Sequence, residues 1–287
     1  MTAILEVNHL SKRYKKSEFA LRDVSLTIPS GSIIGFIGQN GAGKSTTMGA
    51  VLGTLYKDQG VIRVFGQEMH TDNQLLKEDI GVVYDDMKLP KTITIKKLEK
   101  VLKRIYKRWN QHTFNHYIKL FNLPNDKKLE DFSRGMSMKL SVAVALSHEA
   151  KLLILDEATA GLDPSGREEV LDVLKAFVEE QEKGILMSSH ITSDIEKIAD
   201  QLVFIKDGEI VLKVEKEELL NSYAIATCEE KQYKKIVNHH HIVAHRKIEN
   251  GEVQILFNNR EAIIPPLEVQ SFSIDDVTLL LMKGEKR

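Results

Sequence analysis

The chain has 287 residues, 42% of them hydrophobic and 28% charged, which is enough apolar material to bury a substantial core. Its 40 basic and 41 acidic residues leave a formal net charge of -1, so bulk electrostatics give no reason to expect a nucleic-acid partner. The single cysteine, Cys228, excludes an intrachain disulfide and suits a reducing cytoplasm.

The opening MTAILEVNHL lacks a basic region followed by an apolar core, so no signal peptide is expected. Residues 21–28 alternate in period two, and 33–37 form an apolar run with the character of a buried strand. A helix is expected from 43 to about 55, then strands at 61–65 and 80–84. Between Thr92 and Ala145 the strand signal disappears. There Ile95, Leu98, Leu102, Ile105 and Trp109 recur at helical spacing, as do Phe114, Ile118 and Phe121. Strands return at 152–155, 185–188 and 202–205, so the pattern is a mostly parallel sheet flanked by helices with a helical insert. From about 215 the pattern changes to short strands at 223–227, 242–245 and 253–257 and a last helix at 274–282, an α+β appendage. The longest apolar stretch, around 140–155, is interrupted by His148, Glu149 and Lys151, so no membrane span is expected and any membrane role needs another chain.

Residues 38–45, GQNGAGKS, fit G-x-x-x-x-G-K-[ST] at every fixed position, between a buried strand and a helix. Glycines in such a loop let successive backbone N–H groups turn inward around phosphate oxygens, and the helix start adds partial positive charge. Gly38, Asn40, Gly41, Ala42, Gly43, Lys44, Ser45 and Thr46 are therefore the expected nucleotide-binding residues. Lys44 would reach the β- and γ-phosphates, and the Ser45 hydroxyl would bind Mg²⁺. The apolar run 152–155 ends in Asp156-Glu157, a carboxylate suited to the metal followed by one suited to polarise attacking water. A second helix start, Phe132-Ser133-Arg134-Gly135-Met136, lies well downstream.

The 38–45 loop, the Ser133 stretch, 152–157, Ala160-Gly161-Leu162-Asp163 and Ser189-His190 stand in an order and spacing that resembles an ABC-transporter ATPase subunit over roughly residues 4–213. The resemblance implies an α/β P-loop ABC ATPase fold. Its parts are a RecA-like parallel-sheet core, N-terminal antiparallel strands and a helical subdomain inserted at about 90–145, within a domain spanning 1–214; residues 215–287 form an accessory α+β domain. It implies ATP and Mg²⁺, and a head-to-tail dimer with a second ATPase subunit in which two ATP molecules are sandwiched. Tyr14 then falls on the adenine-stacking position, Ser133 and Gly135 on signature residues that meet the γ-phosphate from the opposite subunit, Asp163 on the residue linking the two sites, and His190 on the switch histidine.

Two positions depart from the family pattern. Arg134 and Met136 stand in a signature where Gly and Gln are usual, and Arg134 either adds positive charge near phosphate or points to solvent. Asp85 occupies the place of a Gln that contacts Mg²⁺ and water, and is expected to contact the metal directly or through water. The signature and the short appendage resemble ABC-2-type exporter subunits, most closely those of phenol-soluble modulin and antimicrobial peptide exporters. This implies a separate transmembrane permease, docked near residues 84–89, and a place on the cytoplasmic face of the membrane. A soluble ABC regulatory module without a transport role is the alternative. The lysines and arginines between 96 and 108 read as a solvated helix face or as attraction to an anionic leaflet. His239, His240, His241 and His245 lack a partner at ligand spacing and read as an exposed loop.

Overall fold

The computed structural model describes residues 3–14, 19–86, 88–179, 182–237, 239–249, 251–263 and 267–286. Its centre is a six-stranded sheet in the order Glu209–Glu215, Gln201–Lys206, Ser32–Ile37, Gly184–Ser188, Leu152–Asp156, Ile80–Val83. All but the first of these pair in parallel. Side chains alternate between the two faces of a strand, and here both faces are covered, so the strands read as continuous apolar runs. On one face Ile34, Phe36, Ile154, Leu186 and Val203 pack with an N-terminal antiparallel sheet. That sheet has the order Ala20–Pro29, Ala3–Arg13, Gln59–Val64, Gln67–Glu68. On the other face Ile33, Ile37, Leu155, Ile185 and Phe204 join the helices.

Gly35 sits where the helix Thr192–Ile198 presses closest to the sheet. A Cβ there would lie 2.3 Å from Ile195 Cγ2, so only glycine allows that approach. The first helix, Lys44–Val51, is shorter than its sequence pattern, because Gly53 turns the chain at φ 62°.

The helical insert comprises Ile95–Ile105, Gln111–Leu120, the short 3-10 turn Leu129–Asp131 and Arg134–Leu146. Ile95, Leu98 and Leu102 are buried as expected, but the helical repeat stops before Trp109. Ile105 is 60% exposed, and the Asn110 side chain caps the next helix by accepting from Thr113 N–H at 3.1 Å. Trp109 instead lies in the connection, its ring 4.9 Å from that of Phe114.

After Glu215 the helix Lys216–Ser222 leads to a five-stranded antiparallel sheet ordered Glu268–Gln270, Ala224–Glu229, Glu252–Phe257, Ile242–Lys247, Glu285–Lys286. The helix Ile274–Lys283 buries Ile274, Val277 and Leu280 in the same cluster as Ile195, Ile198 and Leu202. One face of the appendage thus shares the main core, while Cys228 is buried in a separate cluster with Tyr233, Val253 and Phe257. Burial pushes its thiol pKa up, consistent with an inert residue. Among the described residues no helix is long and apolar enough to cross a membrane.

Candidate nucleotide site

Parallel register places the chemistry at the carboxyl ends of adjacent strands, where ligands of open α/β sheets collect. Asp156 pairs with Ser188 in the ladder, and the 38–45 loop leaves the neighbouring strand Ser32–Ile37. Gly43 caps the first helix at φ 118°, and a Cβ on it would lie 2.5 Å from Leu21 Cδ2. Conformation and space both demand glycine. Residues Asn40, Gly41, Gly43, Lys44, Ser45, Thr46, Asp85, Asp156 and Glu157, with Phe19, line one cleft of about 440 Å³.

Lys44 is 6% exposed, and its ammonium donates to the Gly38 and Gln39 carbonyls at 2.6 and 3.2 Å. Burial lowers its pKa, and the Glu157 and Asp156 carboxylates partly offset that effect. A phosphate chain would supply the anionic partner that the buried ammonium lacks.

Asp156 accepts from two hydroxyls, Ser45 Oγ at 2.8 Å and Ser188 Oγ at 2.6 Å. Hard oxygen donors of this kind suit Mg²⁺. Among the described residues no group of three or more His, Cys, Asp or Glu side chains could hold a metal ion. One carboxylate beside a serine hydroxyl fits an ion that keeps water and phosphate ligands.

Glu157 holds a left-handed backbone, φ 58°, at the strand end. Such conformations concentrate at functional sites in over-determined surroundings. Its Oε2 lies 2.5 Å from His190 Nδ1 and accepts from the His190 backbone N–H at 3.1 Å. Carboxylate and imidazole are thus paired beside the metal-suited aspartate.

The second helix start stands apart from this group. Ser133 caps the helix Arg134–Leu146 by accepting from Met136 N–H at 3.1 Å. Gly135 and the 160–163 loop pack on each other: a Cβ on Gly135 would lie 3.1 Å from the Gly161 carbonyl. Neither Ser133, Gly135 nor Asp163 is among the described residues that line the cleft. The Arg134 stem lies across Gly161, where an added Cβ would meet its Cδ at 2.7 Å, so this side chain is braced on the 160–163 loop.

Tyr14 is 36% exposed, with its ring centroid 6.3 Å from that of Phe19. Phe19 and Ser188 carried no local sequence signal. One reaches the cleft by chain folding, and the other is fixed by strand register. The histidine loop differs from its reading, since only His240 is exposed while His239 and His241 are half-buried. The rings of His240 and His241 lie 4.0 Å apart, and His241 Nδ1 is bonded to Asn258 Oδ1 at 2.8 Å.

Comparison with known proteins gives a consistent picture. The family model described as ABC transporter matches residues 21–160. The lantibiotic transport ATP-binding protein SrtF of Streptococcus pyogenes is 36% identical over 214 residues, 74% of this chain and 91% of that protein. The uncharacterized ABC transporter ATP-binding protein YhcH of Bacillus subtilis (strain 168) is 27% identical over 293 residues, covering 100% of this chain and 95% of that protein. Among solved structures, an ATP-binding subunit of an ABC transporter superposes with a TM-score of 0.69 at 25% identity, covering 75% of this chain and 92% of the other.

Proposed function

This chain belongs to the ABC transporter family as an ATP-binding subunit, an ATPase that energises transport by a separate permease, and from that premise we propose that its two anion-suited helix starts serve one ATP from two copies. The 38–46 loop of one copy holds the triphosphate, and the Ser133 helix start of the other closes on its γ-phosphate. The observation that carries this reading is the one-sidedness of the cleft: loop, metal-suited oxygens and base line it, the imidazole is bonded to that base, and the signature helix start is not among the described lining residues. Each copy brings half of each site, so ATP becomes part of the interface and its hydrolysis removes the bridge.

Within a site, Lys44 neutralises phosphate charge, and Ser45 and Asp156 would hold Mg²⁺, which when bound would supply further charge neutralisation. Glu157 accepts the proton of the attacking water, and His190, paired with that carboxylate, contacts the γ-phosphate. Tyr14 stacks on adenine with Phe19 beside it. Asp163, next to the braced Arg134–Gly161 contact, carries the state of one site to the other.

Asp85 lines the same cleft, so its carboxylate would contact a bound Mg²⁺ directly or through water. Asp85→Asn is expected to raise the Mg²⁺ concentration needed for half-maximal turnover by about tenfold. An unchanged Mg²⁺ requirement would remove Asp85 from the metal site.

The permease contact is proposed at a groove of about 360 Å³ in which Leu52, Ile80, Val82, Tyr84, Ile105 and Tyr106 stand beside Thr54, Gln74, Lys77 and Glu78. It lies between the strand that ends at Val83 and the end of the first insert helix, with Ile105 60% and Tyr84 38% exposed. Exposed apolar surface of this kind suits an apolar segment from the membrane subunit, which holds the chain on the cytoplasmic face. Insert cations are partly used up locally, with Lys96 bonded to Asp126 at 2.8 Å and Lys103 paired with Glu99 at 3.2 Å. That weakens the case for direct leaflet binding. Ile105→Glu is expected to abolish co-purification with the detergent-solubilised permease, and undiminished co-purification would place the contact elsewhere. The likeness to a lantibiotic transport protein supports a peptide cargo, and residues 215–287 are proposed as an accessory unit on the 1–214 ATPase domain.

Trapping ATP with Glu157→Gln and weighing the complex in solution tests the shared-site reading: a pair of copies is expected, and single copies alone would contradict it.

A further inference from the structure

The helix Thr192–Ile198 begins two residues after His190, and it is gripped from three directions. Toward the sheet, Ile195 fills the space that Gly35 leaves open. Toward the helix Pro164–Glu179, the 1%-exposed Asp194 faces Arg167 at 3.6 Å. The Arg167 backbone N–H in turn donates to the Asp163 carbonyl at 2.9 Å. Toward the appendage, the Thr192 hydroxyl donates to Asp275 Oδ1 at 2.5 Å.

Asp275 lies 83 residues further along the chain, in the first turn of Ile274–Lys283. That helix is rigidly seated. Its start is closed by a reciprocal Ser273–Asp276 capping box, and its buried face packs into the cluster holding Ile195 and Ile198. Just beyond its end, Lys206 Nζ donates to the Gly284 carbonyl at 2.8 Å.

We propose that Asp275 is a positioning residue for ATP hydrolysis, through which the appendage sets turnover. It fixes Thr192, and Thr192 fixes the three-residue segment that aims His190 at Glu157. This rests on the ATPase reading given above. The segment is bonded at both ends: His190 N–H donates to Glu157 Oε2 at 3.1 Å, and Thr192 donates to Asp275. Thr192 is 6% exposed, so without Asp275 its hydroxyl would be left buried and unpaired, and the segment would shift to find an acceptor. The 38–46 loop makes no part of this contact, so ATP affinity is set elsewhere. A partner or ligand that displaced the appendage helix would change the rate of hydrolysis rather than the binding of nucleotide.

The test is steady-state ATP hydrolysis by the full chain, reading kcat and KM separately, with amide exchange over residues 190–195. Asp275→Ala and Thr192→Val are each expected to lower kcat about fivefold with KM within about twofold of wild type. Asp275→Asn and Thr192→Ser, which keep an acceptor and a donor respectively, should restore kcat to within about twofold, and the double variant should be no slower than either single. Exchange at 190–195 should quicken about tenfold in the Ala and Val variants. Should Asp275→Ala not fold, the nearly isosteric Thr192→Val carries the same expectation. Unchanged kcat, or a KM that rises in step with the loss, would overturn the proposal. A wild-type chain with no turnover would instead contradict the ATPase reading, and the exchange data would still decide whether Asp275 orders the segment.

Discussion

Glu157→Gln is expected to lower ATP turnover by about a thousandfold, equivalent to about 4 kcal/mol in the barrier, while ATP still binds. Glutamine preserves the size of the side chain at the strained strand end, where φ is 58°. It cannot take a proton from water, and it weakens the pairing with His190 Nδ1, now 2.5 Å from the carboxylate. With hydrolysis stopped, ATP stays in place as the bridge between copies, so the variant should accumulate as a pair when ATP and Mg²⁺ are present. Phosphate release gives the first quantity and sedimentation the second. Turnover retained within tenfold would show that the base lies elsewhere. Loss of turnover with only single copies in solution would separate catalysis from pairing.

Lys44→Ala is expected to weaken ATP binding by about a hundredfold and to bring turnover to background. Lys44 is the buried cation among the described residues that line the cleft, and burial already depresses its pKa. It stands at the first position of the helix Lys44–Val51 and bonds to the Gly38 and Gln39 carbonyls of the loop. Removing it leaves the backbone N–H groups and a bound Mg²⁺ to offset the phosphate charge, with no cation left from the loop itself. Fluorescent-nucleotide titration reads the affinity. An unchanged affinity would mean that the 38–45 loop does not hold the triphosphate, and the assignment of the cleft would fall with it.

The loop around Lys44 was legible because its geometry is written in consecutive residues: glycines where the backbone must turn, a lysine and a serine at the helix start. The same holds for Asp156 and Glu157, which end an apolar run. What stayed illegible depends on groups that meet only in three dimensions. Ser188 supports Asp156 because the two are opposite each other in a parallel ladder. The stem of Arg134 lies on Gly161 rather than simply in solvent, a contact that fixed spacing cannot reveal.

Thr192 and Asp275 form a bond across 83 residues, and neither belongs to a motif. The insert shows the opposite error. The repeat from Ile95 runs on through Ile105 to Trp109 in sequence, but the helix stops at Ile105 and Asn110 caps the next one. An apolar period continued by chance where the backbone had already turned. The central strands, by contrast, were recognisable because burial on both faces leaves unbroken apolar runs. The final strand of the main sheet, Glu209–Glu215, lies at its edge and is only partly buried, and its mixed composition hid it.

The sharing of each ATP between two copies is tested most directly by mixing two inactive variants. Lys44→Ala loses its loop and Ser133→Arg loses its helix start, so each alone is expected to be silent. In a head-to-tail pair of the two, one site carries both lesions and the other carries neither. The account predicts that mixing restores ATP hydrolysis well above the sum of the separate variants, with a dependence on total protein concentration. If the mixture hydrolyses no more ATP than its two components do apart, loop and signature do not meet across copies, and the shared site is contradicted.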